Sequence, residues 1–128
     1  MSLESVVGKA DTILAGKVTG VASQQEDKNI YTLVTLAVEQ VIKGEAAGEV
    51  TIKLPGGEAG GVTLAVTDYP GFKTDEKVLV FLNKDGGTYK IAGGLYGKYT
   101  INENNTVSDN KPLAEFIAQI KSIMEGTK

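Results

Sequence analysis

The chain has 128 residues, 41% hydrophobic and 23% charged, with a formal net charge of −3; such a length suits one domain able to bury roughly two-thirds of its unfolded surface. It contains no Cys and no His, and all 13 basic residues are Lys. Disulfides and thiolate chemistry are thereby excluded, imidazole is missing as base or metal ligand, and no guanidinium fork can grip a phosphate. The mild acidity and the lack of a basic block mean that nucleic acid meets weak repulsion rather than steering. No apolar run approaches the ~20 residues that span a bilayer.

In chain order, residues 1–10 fit either a short helical turn or an edge strand, and Ser2–Gly8 lacks the basic start of a secretion signal. The first strand is predicted over Thr12–Ser23, where Leu14, Gly16, Val18 and Gly20 alternate with Ile13, Ala15, Lys17, Thr19 and Val21. Glycines inside a strand mark a sharp bend or a close backbone approach, which is expected at Gly16 and Gly20. Gln24–Asn29 is polar and reads as a hairpin turn.

Ile30–Gly44 is the longest strand-like run. Its period of two puts Thr32, Val34, Leu36, Val38 and Ile42 on one face, with a mixed face opposite. A third strand follows over Val50–Leu54 and stops at Pro55. The glycine-rich Pro55–Gly61 is expected as a corner before a strand at Val62–Val66, and Asp68–Asp75 as a surface loop turning at Pro70-Gly71. Lys77–Asn83 is apolar on both faces, which predicts a strand covered on both sides. Asp85-Gly86-Gly87 is a hairpin turn. Tyr89 and Ile91 open the next strand, Gly93 and Gly94 break it, and Lys98–Asn102 completes it.

From Pro112 the period changes to 3.6. Leu113, Phe116, Ile117, Ile120, Ile123 and Met124 form one apolar stripe, with Asp109 or Asn110 as the expected N-cap, Pro112 in the first turn and Gly126 past the end. Burying six such side chains at ~1.5–3 kcal/mol each requires a packing surface. The open end of a barrel is the expected one.

The reading is a single domain, mainly β: a five- to six-stranded OB-fold-like Greek-key barrel over about 10–102, with a C-terminal amphipathic helix over about 111–125. The alternative, an immunoglobulin-like sandwich, is disfavoured by the lack of Trp and Cys and by the terminal helix.

Pro55–Gly61 fits neither of the glycine-rich phosphate motifs and precedes a strand, so no helix dipole is available there for an anion. Glu26-Asp27, Asp75-Glu76 and Asp85 lie in polar turns without a calcium-loop pattern, and are read as solvated charges. Tyr89, Tyr96 and Tyr99 are interleaved with Lys90 and Lys98. On one exposed sheet face, Tyr89, Tyr96, Lys98 and Tyr99 could stack bases or sugar rings. No pairing of residues points to catalysis, and no cofactor or metal is expected.

Several stretches resemble the netrin-like modules, among them the N-terminal domain of the tissue inhibitors of metalloproteinases. These are Ala10-Asp11-Thr12-Ile13-Leu14 with Gly16-Lys17-Val18, Tyr31, Lys43-Gly44, Gly61–Val66 and Lys77-Val78-Leu79-Val80. Those inhibitors chelate zinc through an N-terminal cysteine, and this chain has no cysteine, so none of their functional residues has a counterpart here. The resemblance implies an OB-type barrel and a secreted or surface-attached binding role, in a prokaryotic, cysteine-free form. The expected function is therefore a non-catalytic module that binds a protein partner through Pro55–Gly61, Asp68–Asp75 and Gly93–Gly97. A single-strand nucleic-acid or oligosaccharide binder is the first alternative, and an enzyme, which would need a pocket with two carboxylates or a perturbed lysine, is the last.

Overall fold

The computed structural model describes residues 3–26, 29–59, 62–64, 72–93, 97–107 and 110–126. A short helix, α1 (Leu3–Lys9), leads into two 15-residue strands, β1 (Thr12–Glu26) and β2 (Asn29–Lys43). They are followed by β3 (Glu49–Pro55), a small hairpin of β4 (Gly57–Ala59) and β5 (Val62–Leu64), then β6 (Lys77–Asp85) and β7 (Thr88–Ile91). The chain ends with β8 (Lys98–Thr100), the two-residue strands β9 (Thr106–Val107) and β10 (Lys111–Pro112), and α2 (Leu113–Gly126).

The strands close on themselves. β1 pairs with β2, β2 with β3, β3 in parallel with β7, β7 with β6, and β6 returns to β1. β8 continues along the edge of β6 that β7 occupies, so this is the expected OB-like barrel with its C-terminal helix. The seam is the β3–β7 contact, held by the single pair Ile52↔Tyr89. Gly86 takes φ 64° in the two-residue turn between Asp85 and Thr88, which accounts for glycine in that hairpin.

Two apolar cores lie on opposite sides of one wall. On β6, Val78, Val80 and Leu82 point into the barrel with Leu14, Val18, Val34, Leu36 and Ile52. Leu79 and Phe81 point outward into a second core with Val6, Val7, Ile13, Ala15, Phe116, Ile117 and Ile120. All five β6 residues are fully buried, which is why that strand reads as continuously apolar.

The stripe on α2 is buried as its periodicity demands. Phe116, Ile117 and Ile120 are buried, with Leu113, Ile123 and Met124 partly so. Its target differs from the one expected: α2 joins α1 over the outer wall of β1 and β6 instead of closing the barrel's open end. The physical reason is that Ile13, Ala15, Leu79 and Phe81 would otherwise face water. The N-cap also differs. Asn110 takes a left-handed φ of 61°, and Lys111–Pro112 pair with β9 before the helix starts. Asp109, the other expected cap, lies outside the described residues.

β2 departs from simple alternation. The register steps from Gly16↔Val38 to Ala15↔Gln40, and from Leu14↔Val41 to Ile13↔Lys43, so Glu39 and Ile42 are extra residues in β2. One inserted residue reverses the facing of the strand beyond it, so Ile42 joins the outer core, although alternation alone groups it with Val34 and Leu36. The expected close approach at Gly16 is real: a Cβ there would sit 2.3 Å from the Ala37 carbonyl oxygen. Gly20, by contrast, faces open space beside a further register shift. The glycine-rich corner after Pro55 contributes a short strand, β4, paired with β5.

Candidate functional site

The two ends of the barrel are built differently. At one end, the Asp11 amide donates to Asn83 Oδ1 (2.8 Å), and its carboxylate accepts from the Lys84 amide (2.9 Å) and the Thr12 hydroxyl (2.8 Å). Lys43 Nζ donates to the Val7 carbonyl at 2.9 Å. Gly44 has φ 78°, and a Cβ on it would lie 2.4 Å from the Asp11 carbonyl oxygen. Much of the sequence that resembles netrin-like modules, Ala10–Leu14 and Lys43-Gly44, is thus the joint that ties α1, β1, β2 and β6 together.

The other end is set by strand direction. β2 runs opposite to β1, and β3 opposite to β2, so β3 exits at Pro55 toward the end where β1 finishes. β6 also runs opposite to β1, entering with Lys77 beside Lys17, so the segment before it comes from that same end. The described parts of Pro55–Gly61 and Asp68–Asp75, residues 55–59 and 72–75, therefore belong to one end of the barrel. The residues flanking Gly93–Gly97 lie elsewhere: Ile91 is opposite Leu82 and Lys98 opposite Val80, along one edge of β6. Residues 60–61, 68–71 and 94–96 of these segments lie outside the described residues.

The best-defined polar constellation sits where that end meets the barrel wall. Lys98 Nζ donates to both carboxylate oxygens of Glu76, at 2.9 and 3.0 Å. The Thr100 hydroxyl adds 2.9 Å and the Lys73 amide 3.2 Å. The Lys98 and Glu76 side chains are only 11% and 17% exposed, and Lys98 Nζ lies 4.6 Å from the centre of the Phe72 ring. Burial pushes the Glu76 carboxyl up, but the bonds from Lys98, Thr100 and the Lys73 amide outweigh it and hold the group below the ordinary glutamate value. The reading of Asp75-Glu76 as solvated charges holds for Asp75, whose side chain is 80% exposed, and fails for Glu76. Only its place beside the apolar run Val78–Leu82 hinted at this. Beside the pair, Asp75, Lys77, Thr100, Asn102 and Glu103 line a groove of about 510 Å³.

The tyrosine face is distributed. Tyr99 pairs with Leu79 and packs in the outer core, its ring 5.9 Å from Phe81 and 4.7 Å from Phe116. Tyr89 packs against the inner core. Lys98 carries the ion pair, and Tyr96 lies outside the described residues. Tyr89 and Tyr99 therefore offer no shared stacking platform. Among the described residues no group of three or more acidic side chains converges on a metal-sized site, and no helix is long and apolar enough to cross a membrane.

No protein-family model matches the chain, and a comparison with curated proteins finds no significant relative.

Proposed function

We propose that the chain is a non-catalytic binding module that engages a protein partner through the barrel end where β3 exits and β6 enters, using the loops expected at Pro55–Gly61 and Asp68–Asp75. The observation that supports this reading is directional: β3 leaves and β6 enters at the same end. A pinned segment, Phe72–Glu76, borders that end. Loops carried on a rigid scaffold are where barrels of this kind bind. The likeness to netrin-like modules extends the proposal to a cysteine-free prokaryotic member of that class, working at the cell surface or outside the cytoplasm.

The test is site-specific photo-crosslinking on intact source cells, with probes at Gly57 and Lys73 and, as the opposing surface, at Lys84 and Lys121. The expected result is one protein species captured from Gly57 and Lys73 and lost from Lys84 and Lys121. Equal capture from all four sites would sink the reading. So would chemical-shift changes around Tyr89 and Lys98 on adding oligo-dT or oligosaccharides.

A further inference from the structure

Glu76 does more than satisfy its own charge. Its backbone carbonyl accepts from the Val18 amide at 2.8 Å, and the Val18 carbonyl accepts from the Asp75 amide at 2.8 Å, which fastens this segment to β1. Its side chain reaches across to Lys98 and Thr100 on β8 and back to the Lys73 amide. Phe72, at the start of the same segment, packs against the inner core beneath Lys98. The contacts from Lys98 and Thr100 thus tie Phe72–Glu76 to β8, the strand paired with β6.

We propose that Glu76 and Lys98 form an acid-released clamp that holds Phe72–Glu76 against β8, with the Phe72 ring on the inner core at this end of the barrel. Its use in presenting a binding surface rests on the function proposed above; its existence does not. A protonated Glu76 keeps its shape but gives up the charge that Lys98 and two further donors stabilise, so the segment is the first part of the fold to loosen in acid. The charged groups around it are Lys98 on β8, Lys77 on β6, Asp75 with its 3.7 Å contact to Lys17 of β1, and Glu103 across the groove.

The test tracks amide and aromatic-ring resonances of the full chain, without ligand, from neutral pH downward. In the wild-type protein the Lys73, Asp75, Glu76 and Thr100 amides and the Phe72 ring should move in one step below 4.5, the ordinary glutamate value, while Val78–Leu82 stay in place. Asp75→Asn and Glu103→Gln should keep that step, and Thr100→Val, with one donor fewer, should move it toward 4.5. Glu76→Gln should abolish it. At neutral pH, Glu76→Gln and Lys98→Met should each speed exchange of the Asp75 amide by about tenfold or more. Wild-type exchange at Asp75 in both variants would overturn the clamp, as would a segment that responds only when the whole barrel unfolds. Because no ligand is present, these outcomes stand apart from the success or failure of the binding proposal.

Discussion

Among the described residues, two lysines sit over aromatic rings with a carboxylate in reach, and they act differently. Lys98 is 4.6 Å from the Phe72 ring and pairs with Glu76 at 2.9 Å; Lys53 is 4.3 Å from the Tyr31 ring and pairs with Glu26 at 2.6 Å. Distance alone would rank the Lys53 pair as the stronger. Solvent decides otherwise: the Lys53 and Glu26 side chains are 30% and 44% exposed, on the outer side of the β1–β2 hairpin, against 11% and 17% for Lys98 and Glu76. Exposed pairs are screened and lose side-chain entropy on forming, whereas a half-buried carboxylate held by several donors is costly to disturb.

Glu76→Ala separates the two pairs most. It strips the acceptor from Lys98, Thr100 and the Lys73 amide, and should lower stability by about 2–3 kcal/mol in urea unfolding. Glu26→Ala should leave the urea midpoint where it is. The rings are the next comparison: Phe72→Ala removes packing from the inner core and should destabilise by about 1–2 kcal/mol, while Tyr31→Ala, on the outer surface, should stay within about 0.5 kcal/mol of wild type.

pH sharpens the contrast from opposite directions. Because Glu76 is held below 4.5 in the folded protein, its contribution is present above that value and is lost as pH falls through the lower folded value. Unfolding monitored by circular dichroism should therefore show an acid limb that Glu76→Gln flattens. For Lys53 the hydrogen bond it donates to Glu26 is the main influence, and it raises the ammonium above 10.5. Its contribution is present below 10.5 and lost as pH rises through the folded value. Lys53→Met should flatten that alkaline limb, as the smallest of these effects, and added salt should erase the difference.

The Tyr89–Tyr99 stretch shows where one-dimensional reading loses its grip. Alternation assigns faces within β7 and within β8, but the break between them resets the count, so Tyr89 falls on the inner side of the wall and Tyr99 on the outer. Lys98 is visible in the sequence as a cation beside aromatics. Its partner Glu76 is 22 positions away, and the pairing emerges only once Glu76 and Thr100 come together across the start of β6.

By itself the sequence determined the main strands β1, β2, β3 and β6 through their period of two, the helix α2 through its stripe, the turn at Gly86-Gly87 and the doubly covered character of Lys77–Asn83, because these depend on local sterics and side-chain spacing. Tertiary structure decided the rest. Bulges at Glu39 and Ile42 reversed a face that alternation assigns. The outer surface of β1 and β6 drew α2 away from the barrel's end. The balance of desolvation against three donors made Glu76 a half-buried anchor while its neighbour Asp75 remained in water. Each of these depends on which distant surfaces meet, and spacing along the chain does not carry that information.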